Sequence, residues 1–278
     1  MNINLNGAIV PASENHVHHS NRGFRYGDGV FESMAMFDGK VKLIALHASR
    51  IATGAQILEL NLPSALHEKK ITLEVEKLRE ANNLTNGRIR IVLTRKIGGY
   101  YAPISNDVDY IIESEVIANN QYELNVEGLR IGCYKEIVKP VNILSSIKTC
   151  NALIYVKAGL YKNKTSLDEC IILNQYGNLC ESISHNLFWV KNKVVFTPSA
   201  DSGCVLGVMR NYLLQWFSEI NIECHEGEYT IDAILNADEV FLSGATKGIQ
   251  WIAQLTEKDR IIKFGNSFTK EIFEKALR

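Results

Sequence analysis

The chain has 278 residues, of which 46% are hydrophobic and 22% charged, and its formal net charge is −1. This composition excludes disordered, fibrous and membrane-spanning classes, and the length suits two modest domains. A charge near zero without runs of one sign argues against nucleic acid and acidic membrane surfaces, so we expect a small-molecule partner.

The first part of the chain predicts strands followed by helices. Asn6-Gly7 separates two short alternating runs and suits a type I′ hairpin turn, and Asp38-Gly39 separates a second pair of short apolar runs, residues 31–37 and 40–44. The remaining predicted elements of this block are a helix over 47–58, a helix over 64–82 and a strand over 88–94.

A polar stretch without periodicity, IANNQYELNVEG, then interrupts the pattern. We interpret it as an inter-domain linker at residues 116–127, which gives an N-terminal α+β domain over 1–115 and a C-terminal domain over 128–278. The predicted elements of the second block are a helix over 149–162, strands over 169–174, 179–182, 187–190 and 194–197, and an amphipathic helix over 207–220.

Common catalytic and binding motifs are absent. Gly27-Asp28-Gly29 lacks the third glycine of a dinucleotide site, residues 244–248 lack P-loop spacing, and no G-x-S-x-G occurs. His16, His18 and His19 have no fourth ligand in register, so we expect no metal. The six cysteines form no C-x-x-C pair and predict reduced thiols, and the absence of a basic segment followed by an apolar one predicts a cytoplasmic protein. The residues alone favour a two-domain α/β enzyme or binding protein.

Several segments, in order along nearly the whole chain, resemble the class IV (fold type IV) pyridoxal-phosphate-dependent aminotransferases. This family includes branched-chain aminotransferases, D-amino acid aminotransferases and 4-amino-4-deoxychorismate lyases. The matching segments are NRGFRYGDGVFE at 21–32, HASR at 47–50, IKTCNAL at 147–153, ESISHNLF at 181–188, Thr197-Pro198 and GVMR at 207–210. The resemblance implies an α+β fold with a smaller N-terminal α/β sandwich, a larger cofactor-binding domain with a barrel-like β core and flanking helices, and a homodimer.

The resemblance also implies pyridoxal 5′-phosphate as the cofactor, with Lys148 as the residue joined to its aldehyde. One amine can attack the aldehyde and later act as a base on the substrate Cα. Without the surrounding motif, Lys148 would be interpreted as an exposed lysine that closes a strand. Glu181 matches the carboxylate that faces the pyridine nitrogen and keeps it protonated, which improves the ring as an electron sink.

The phosphate of the cofactor would meet residues of both blocks. Arg50 matches the family arginine whose guanidinium suits a dianion. Gly207, Val208 and Met209 open a predicted helix, whose free N–H groups bind anions. Near the SGATKG segment the register leaves Ala245 and Thr246 as alternatives, and we take Thr246 as the phosphate ligand.

The predicted pocket walls are Tyr26, Phe31, Arg90 and Val205, with Arg90 available for a substrate carboxylate. Tyr100 and Ala102 stand where D-amino acid aminotransferases have an arginine and a histidine, which counts against D-specificity. Leu153 replaces the tyrosine of branched-chain enzymes, so lyase-like features are also present.

The resemblance therefore leaves three functions open. We expect transfer of an amino group between a branched-chain-like amino acid and a 2-oxo acid. The alternatives are a lyase that releases pyruvate and 4-aminobenzoate from a chorismate-derived substrate, and a non-catalytic cofactor-binding homologue.

Overall fold

The computed structural model describes residues 1–14, 16–258 and 260–278. Contacts divide the chain into two compact units. Unit 1 comprises Met1–Gln121 and Ile147–Ala152, and unit 2 comprises Tyr122–Ser146 and Leu153–Arg278. The six residues around Lys148 therefore pack with unit 1, although the segments on both sides of them belong to unit 2. The domain limits of 1–115, 116–127 and 128–278 stay a prediction.

Unit 1 is built on a six-stranded antiparallel sheet with the order β2-β1-β6-β5-β3-β4. Its strands are β1 (Asn2–Leu5), β2 (Ala8–Pro11), β3 (Gly29–Phe37), β4 (Lys40–Val41), β5 (Gly87–Arg95) and β6 (Val108–Val116). Both predicted hairpins are confirmed. Asn6, Gly7, Asp38 and Gly39 all have positive φ, as a type I′ turn requires.

The α-helices of unit 1, among its described residues, are α1 (Arg22–Tyr26), α2 (Ile44–Ile57) and α3 (Glu68–Ala81). Residues that alternate along β3 and β5, such as Val30, Met34 and Ile91, share one core with apolar residues of α2 and α3. The helix predicted to begin at 47 begins at Ile44, because Leu43 turns into it with a φ of 55°. The other face of β3, which carries Phe31, is left for polar neighbours.

Unit 2 contains a nine-stranded mixed sheet with the order β12-β11-β10-β13-β14-β7-β8-β9, and β15 lies beside β14. Its strands are β7 (Leu129–Lys139), β8 (Glu169–Asn174), β9 (Leu179–Ser182), β10 (Asn186–Lys191), β11 (Val194–Pro198), β12 (Cys224–Gly227), β13 (Glu239–Gly244), β14 (Gly248–Glu257) and β15 (Arg260–Lys263). β7 is parallel to β8 and β14, and β11 is parallel to β12. Strand β9 ends the order yet contacts β10 and β11, so the sheet curls. The α+β class with a curled, barrel-like core is confirmed.

The helices of unit 2 are α4 (Leu153–Lys164), α5 (Val208–Glu219), α6 (Ile231–Leu235) and α7 (Ser267–Leu277). Phe188 stacks on Phe241 with ring centroids 5.0 Å apart and meets the edge of Phe217 on α5, which seats this helix on the sheet. The predicted helix start at Thr149 was wrong: Thr149 forms a bridge with Val30 of β3, and the helix begins at Leu153. Within the described ranges, no helix combines the length and apolar character needed to cross a membrane.

Candidate functional site

Lys148 lies in a segment that is pinned to the edge of β3. The Phe31 amide donates to the carbonyl oxygen of Lys148 at 3.0 Å, and the Cys150 amide donates to that of Gly29 at 2.9 Å. The side chain is half-buried, and its Nζ lies 4.3 Å from the centroid of the Phe31 ring. The backbone that follows the Lys148 Cα is therefore fixed against β3, and an aromatic face supports the amine.

Arg90 lies on the same ring. Its guanidinium carbon is 4.3 Å from the Phe31 centroid, and its Nε is 3.5 Å from Glu113 Oε1. Arg90 pairs with Ser33 across β5 and β3, and Ser33 shares a face with Phe31 because side chains alternate along a strand. The structure thus brings together three predicted site residues, Phe31, Arg90 and Lys148. A half-exposed guanidinium at this position suits a carboxylate.

Tyr26 takes a different place in unit 1. The Arg22 guanidinium lies 5.0 Å from its ring centroid, and the ring of Tyr101 lies 5.6 Å away. Arg22 is buried and donates to the carbonyl oxygens of Gly98 and Gly99 at 3.0 and 3.3 Å. Tyr26 and Arg22 therefore support the loop at residues 98–101. The predicted contact of Tyr26 with substrate stays a prediction.

Arg50 forms a buried cluster with Glu32 and His47. Its Nε and Nη2 donate to the two carboxylate oxygens of Glu32, each at 2.6 Å, and His47 Nδ1 lies 2.6 Å from Oε2. Burial raises the pKa of Glu32, but the charge and hydrogen bonds of Arg50 and His47 outweigh it and hold the pKa at about 2. Glu32 is thus an anion at neutral pH that fixes the orientation of Arg50. Glu32 points to the opposite face of β3 from Phe31.

In unit 2 the Glu181 carboxylate is held from three sides. Tyr155 Oη donates to Oε1 at 2.7 Å, the Val205 amide donates to Oε2 at 2.9 Å, and the Lys139 ammonium pairs with Oε1. Burial alone would lower the pKa of Lys139, but the nearby negative charge of Glu181 raises it overall. Burial and the charge of Glu181 raise the pKa of Tyr155, so its hydroxyl stays a donor.

The number of donors around Glu181 tests whether a ring nitrogen would fit there. A carboxylate offers about four lone-pair positions, and the three donors already present leave about one. A protonated pyridine supplies one N–H. The acid is buried and ion-paired, and its one remaining acceptor position matches the single N–H of a protonated ring nitrogen, whereas a second ammonium would bring three donors.

The start of α5 is open to an anion. Gly207 is the N-cap residue and no side chain of the described residues caps the helix, so the first N–H groups, at Val208 and Met209, have no partner within the helix. A Cβ on Gly207 would lie 1.9 Å from Asn186 Oδ1. Asn186 Nδ2 donates to the Val205 carbonyl oxygen at 2.8 Å. Asn186 thereby holds the turn at residues 205–207. The Val205 amide of this turn donates to Glu181, and α5 begins directly after the turn.

The turn that contains Thr246 leaves the sheet beside this helix start. Asn186 of β10 pairs with Ser243 of β13, and the turn follows β13 directly at residues 245–247. Ser243 Oγ is buried and has no hydrogen-bond partner in the part of the chain that the structure describes. Ser243 thus lies near the start of α5, because its strand partner Asn186 packs against Gly207, and the half-buried Thr246 follows Ser243 by three residues. An oxyanion such as a phosphate fits that set of donors.

Four residues of these clusters escaped the sequence analysis: Glu32, Lys139, Tyr155 and Asn186. Glu32 carried a usable signal, since it interrupts the buried apolar face of β3. Asn186 carried a weaker one, as a polar residue that opens an apolar strand. Lys139 and Tyr155 lie 42 and 26 residues from Glu181 along the chain, and no local pattern marks them.

A family model described as Amino-transferase class IV matches residues 29–255. A Methanocaldococcus jannaschii protein, provisionally named a branched-chain-amino-acid aminotransferase, is 30% identical over 99% of this chain and 95% of its own. The aminodeoxychorismate lyase of Bacillus subtilis is 26% identical over 87% of this chain and 83% of its own. The branched-chain aminotransferase of Thermoproteus uzoniensis, solved with norvaline, shares the fold with a TM-score of 0.87 at 24% identity, over 99% of this chain and 93% of that one.

Proposed function

Because this chain belongs to the class IV aminotransferase family, whose enzymes use pyridoxal 5′-phosphate, we propose that it moves an amino group between an amino acid and a 2-oxo acid, with Lys148 as the residue that holds the cofactor. The observation that carries this proposal is the placement of Lys148. Its carbonyl oxygen and the nearby Cys150 amide are hydrogen-bonded to β3, and its amine lies on the Phe31 ring. A fixed amine of this kind suits both attachment to an aldehyde and proton transfer at a substrate Cα.

The other residues divide the remaining tasks. The cofactor, when bound, supplies an electron sink for the electron pair left on the substrate Cα. Glu181 would accept the N–H of the pyridine ring, and the turn at Val205 would keep that carboxylate in place. Gly207, Val208, Met209 and Thr246 would hold the phosphate through N–H and hydroxyl groups, and Arg50 would add a guanidinium that Glu32 already orients.

For the substrate we propose a branched-chain-like amino acid. The provisional name of the Methanocaldococcus jannaschii relative supports this choice. Phe31 and Val205 offer apolar walls, while the Arg90 guanidinium on the Phe31 ring suits the substrate carboxylate. Leucine with 2-oxoglutarate is therefore the assay to run first, and turnover should fall when Arg90 is replaced by methionine.

Borohydride reduction of the purified protein tests the role of Lys148. Reduction turns a lysine–cofactor link into a stable secondary amine, so the tagged peptide should contain Lys148. Lys139 is an internal control: it is buried, and its raised pKa keeps it an ammonium, which cannot attack an aldehyde. A tag on another lysine, or an unchanged visible absorption band in Lys148→Ala, would contradict the proposal.

Deoxychorismate lyase activity is the second candidate, favoured by the 26% identity with the Bacillus subtilis enzyme. Both reactions share every cofactor residue named above. Incubation with aminodeoxychorismate separates them, because the lyase alone forms 4-aminobenzoate without an amino acceptor. No turnover with any donor, together with normal cofactor binding, would instead indicate a non-catalytic homologue.

We also propose a homodimer. Leu153, Val156 and Leu160 lie along one side of α4 with exposed apolar side chains, and such a row is typical of an interface. Sedimentation equilibrium should give twice the chain mass. Charged replacements at Val156 and Leu160 should shift the protein toward the monomer.

A further inference from the structure

Lys139 is a buried amine that the proposed reaction does not use. It ends β7, and its ammonium pairs with Glu181 and donates to the carbonyl oxygen of Ser145 at 3.1 Å. The ring centroid of Tyr155 lies 5.6 Å from Nζ, and the side chain is 7% exposed. The Lys139 ammonium thus links the Glu181 carboxylate to Ser145, which precedes Lys148 by three residues.

The ion pair changes what Glu181 offers to a bound ring. An isolated carboxylate would present a full negative charge to a protonated nitrogen. The carboxylate of Glu181 is instead half of a buried pair whose net charge is zero, and its oxygen Oε1 already accepts from Lys139 and Tyr155. Water screens these buried charges less than it screens exposed ones, so the ammonium also acts on a group at the remaining lone pair.

We propose that Lys139 is a positioning residue that sets the charge facing the cofactor ring nitrogen, because it shares the Glu181 carboxylate with that nitrogen. The inference rests on the proposed function. The ring nitrogen competes with a resident ammonium, so its N–H is held less strongly than by a glutamate alone. In the protein without cofactor, the same ammonium neutralises the buried Glu181 carboxylate. Without Lys139, that buried charge would be unpaired and would destabilise the fold.

Binding of two cofactor forms measures this sharing. Pyridoxal 5′-phosphate and its 1-deaza analogue differ only in the ring nitrogen, so the ratio of their dissociation constants, analogue over natural cofactor, reports the contribution of that atom. We expect the ratio to rise about tenfold in Lys139→Gln, which keeps a hydrogen-bond donor and removes the charge. Lys139→Arg, which keeps the charge, should match the wild type.

The outcomes separate the two proposals. A wild-type protein that binds neither aldehyde refutes the proposed function itself. If the ratio in Lys139→Gln is equal to or smaller than the wild-type ratio, the role of Lys139 alone is refuted. The same holds if the ratio in Lys139→Arg equals that in Lys139→Gln instead of the wild-type ratio. A purely structural lysine would lower the melting temperature of both variants without moving the ratio.

A second comparison covers the case in which Lys139→Gln does not fold. In Glu181→Gln the ammonium is unpaired and should repel a protonated ring nitrogen. Removing it in the Lys139→Met/Glu181→Gln double variant leaves no buried charge, and the ratio should then exceed that of Glu181→Gln. An equal or lower ratio in the double variant would overturn the inference.

Discussion

Replacement of Glu32 by glutamine should destabilise unit 1 in a pH-dependent way. Glutamine keeps the shape of the side chain and removes its charge. The pKa of Glu32 falls from 4.5 to about 2 in the folded protein, and at about 1.4 kcal/mol per unit the difference is worth about 3 kcal/mol. Because the folded pKa is the lower one, this stability is complete above pH 4.5 and is lost as the pH falls through 2.

Urea unfolding from pH 7 down to pH 2, followed by hydrogen exchange of β3 and α2 peptides, measures this effect. The free energy of unfolding of Glu32→Gln should lie about 3 kcal/mol below the wild type at pH 7, and the two values should converge near pH 2. Glu115→Gln is the matched control: Glu115 pairs with Arg88 at 2.6 Å on the same sheet but is 62% exposed, so its loss should cost under about 1 kcal/mol. A gap between wild type and Glu32→Gln that persists at pH 2 would refute the reasoning.

Three further changes have definite expected results. Gly207→Ala places a Cβ 1.9 Å from Asn186 Oδ1, so cofactor titration should show at least about tenfold weaker binding. Gly159→Ala should bind normally, because outside the adjoining helix backbone no described atom lies within 4 Å of the new Cβ. Phe31→Leu removes the ring under two cations, so KM for the amino acid should rise several-fold in steady-state assays. Burial raises the pKa of Cys150 to about 11, so a disulfide reagent at pH 8 should label this thiol slowly in the folded protein and rapidly in urea; rapid labelling of the native protein would contradict its placement.

Local signals account for the elements that the sequence predicted well. The two hairpins depend on Asn6-Gly7 and Asp38-Gly39, whose residues readily adopt positive φ. The predicted strands over 169–174 and 179–182 match β8 and β9 residue for residue, since turn residues bound both of them. The start of α4 failed for a nonlocal reason: Thr149 pairs with Val30, more than 100 residues earlier, and helical spacing cannot register such a partner.

The residues of the candidate site show the same contrast between local and nonlocal signals. Segments that resemble a family predict the proposed cofactor residues, because each such residue stands in a short motif. The groups that hold those residues were out of reach, since Lys139 and Tyr155 meet Glu181 only after β7, α4 and β9 have packed. Glu32 is intermediate: a charge on a buried strand face requires a cation nearby, and HASR at 47–50 offers the guanidinium of Arg50.

Both units bury the charges of the proposed site as pairs. Glu32 neutralises Arg50, and Lys139 neutralises Glu181. An unpaired buried charge costs several kcal/mol, so the pairing allows the chain to fold before a cofactor arrives. Under the proposed function, the phosphate then shares Arg50 with Glu32, and the ring nitrogen shares Glu181 with Lys139. Each cofactor group would meet a side chain whose charge is already paired. The resident pairs would therefore weaken cofactor binding, although they stabilise the protein without cofactor.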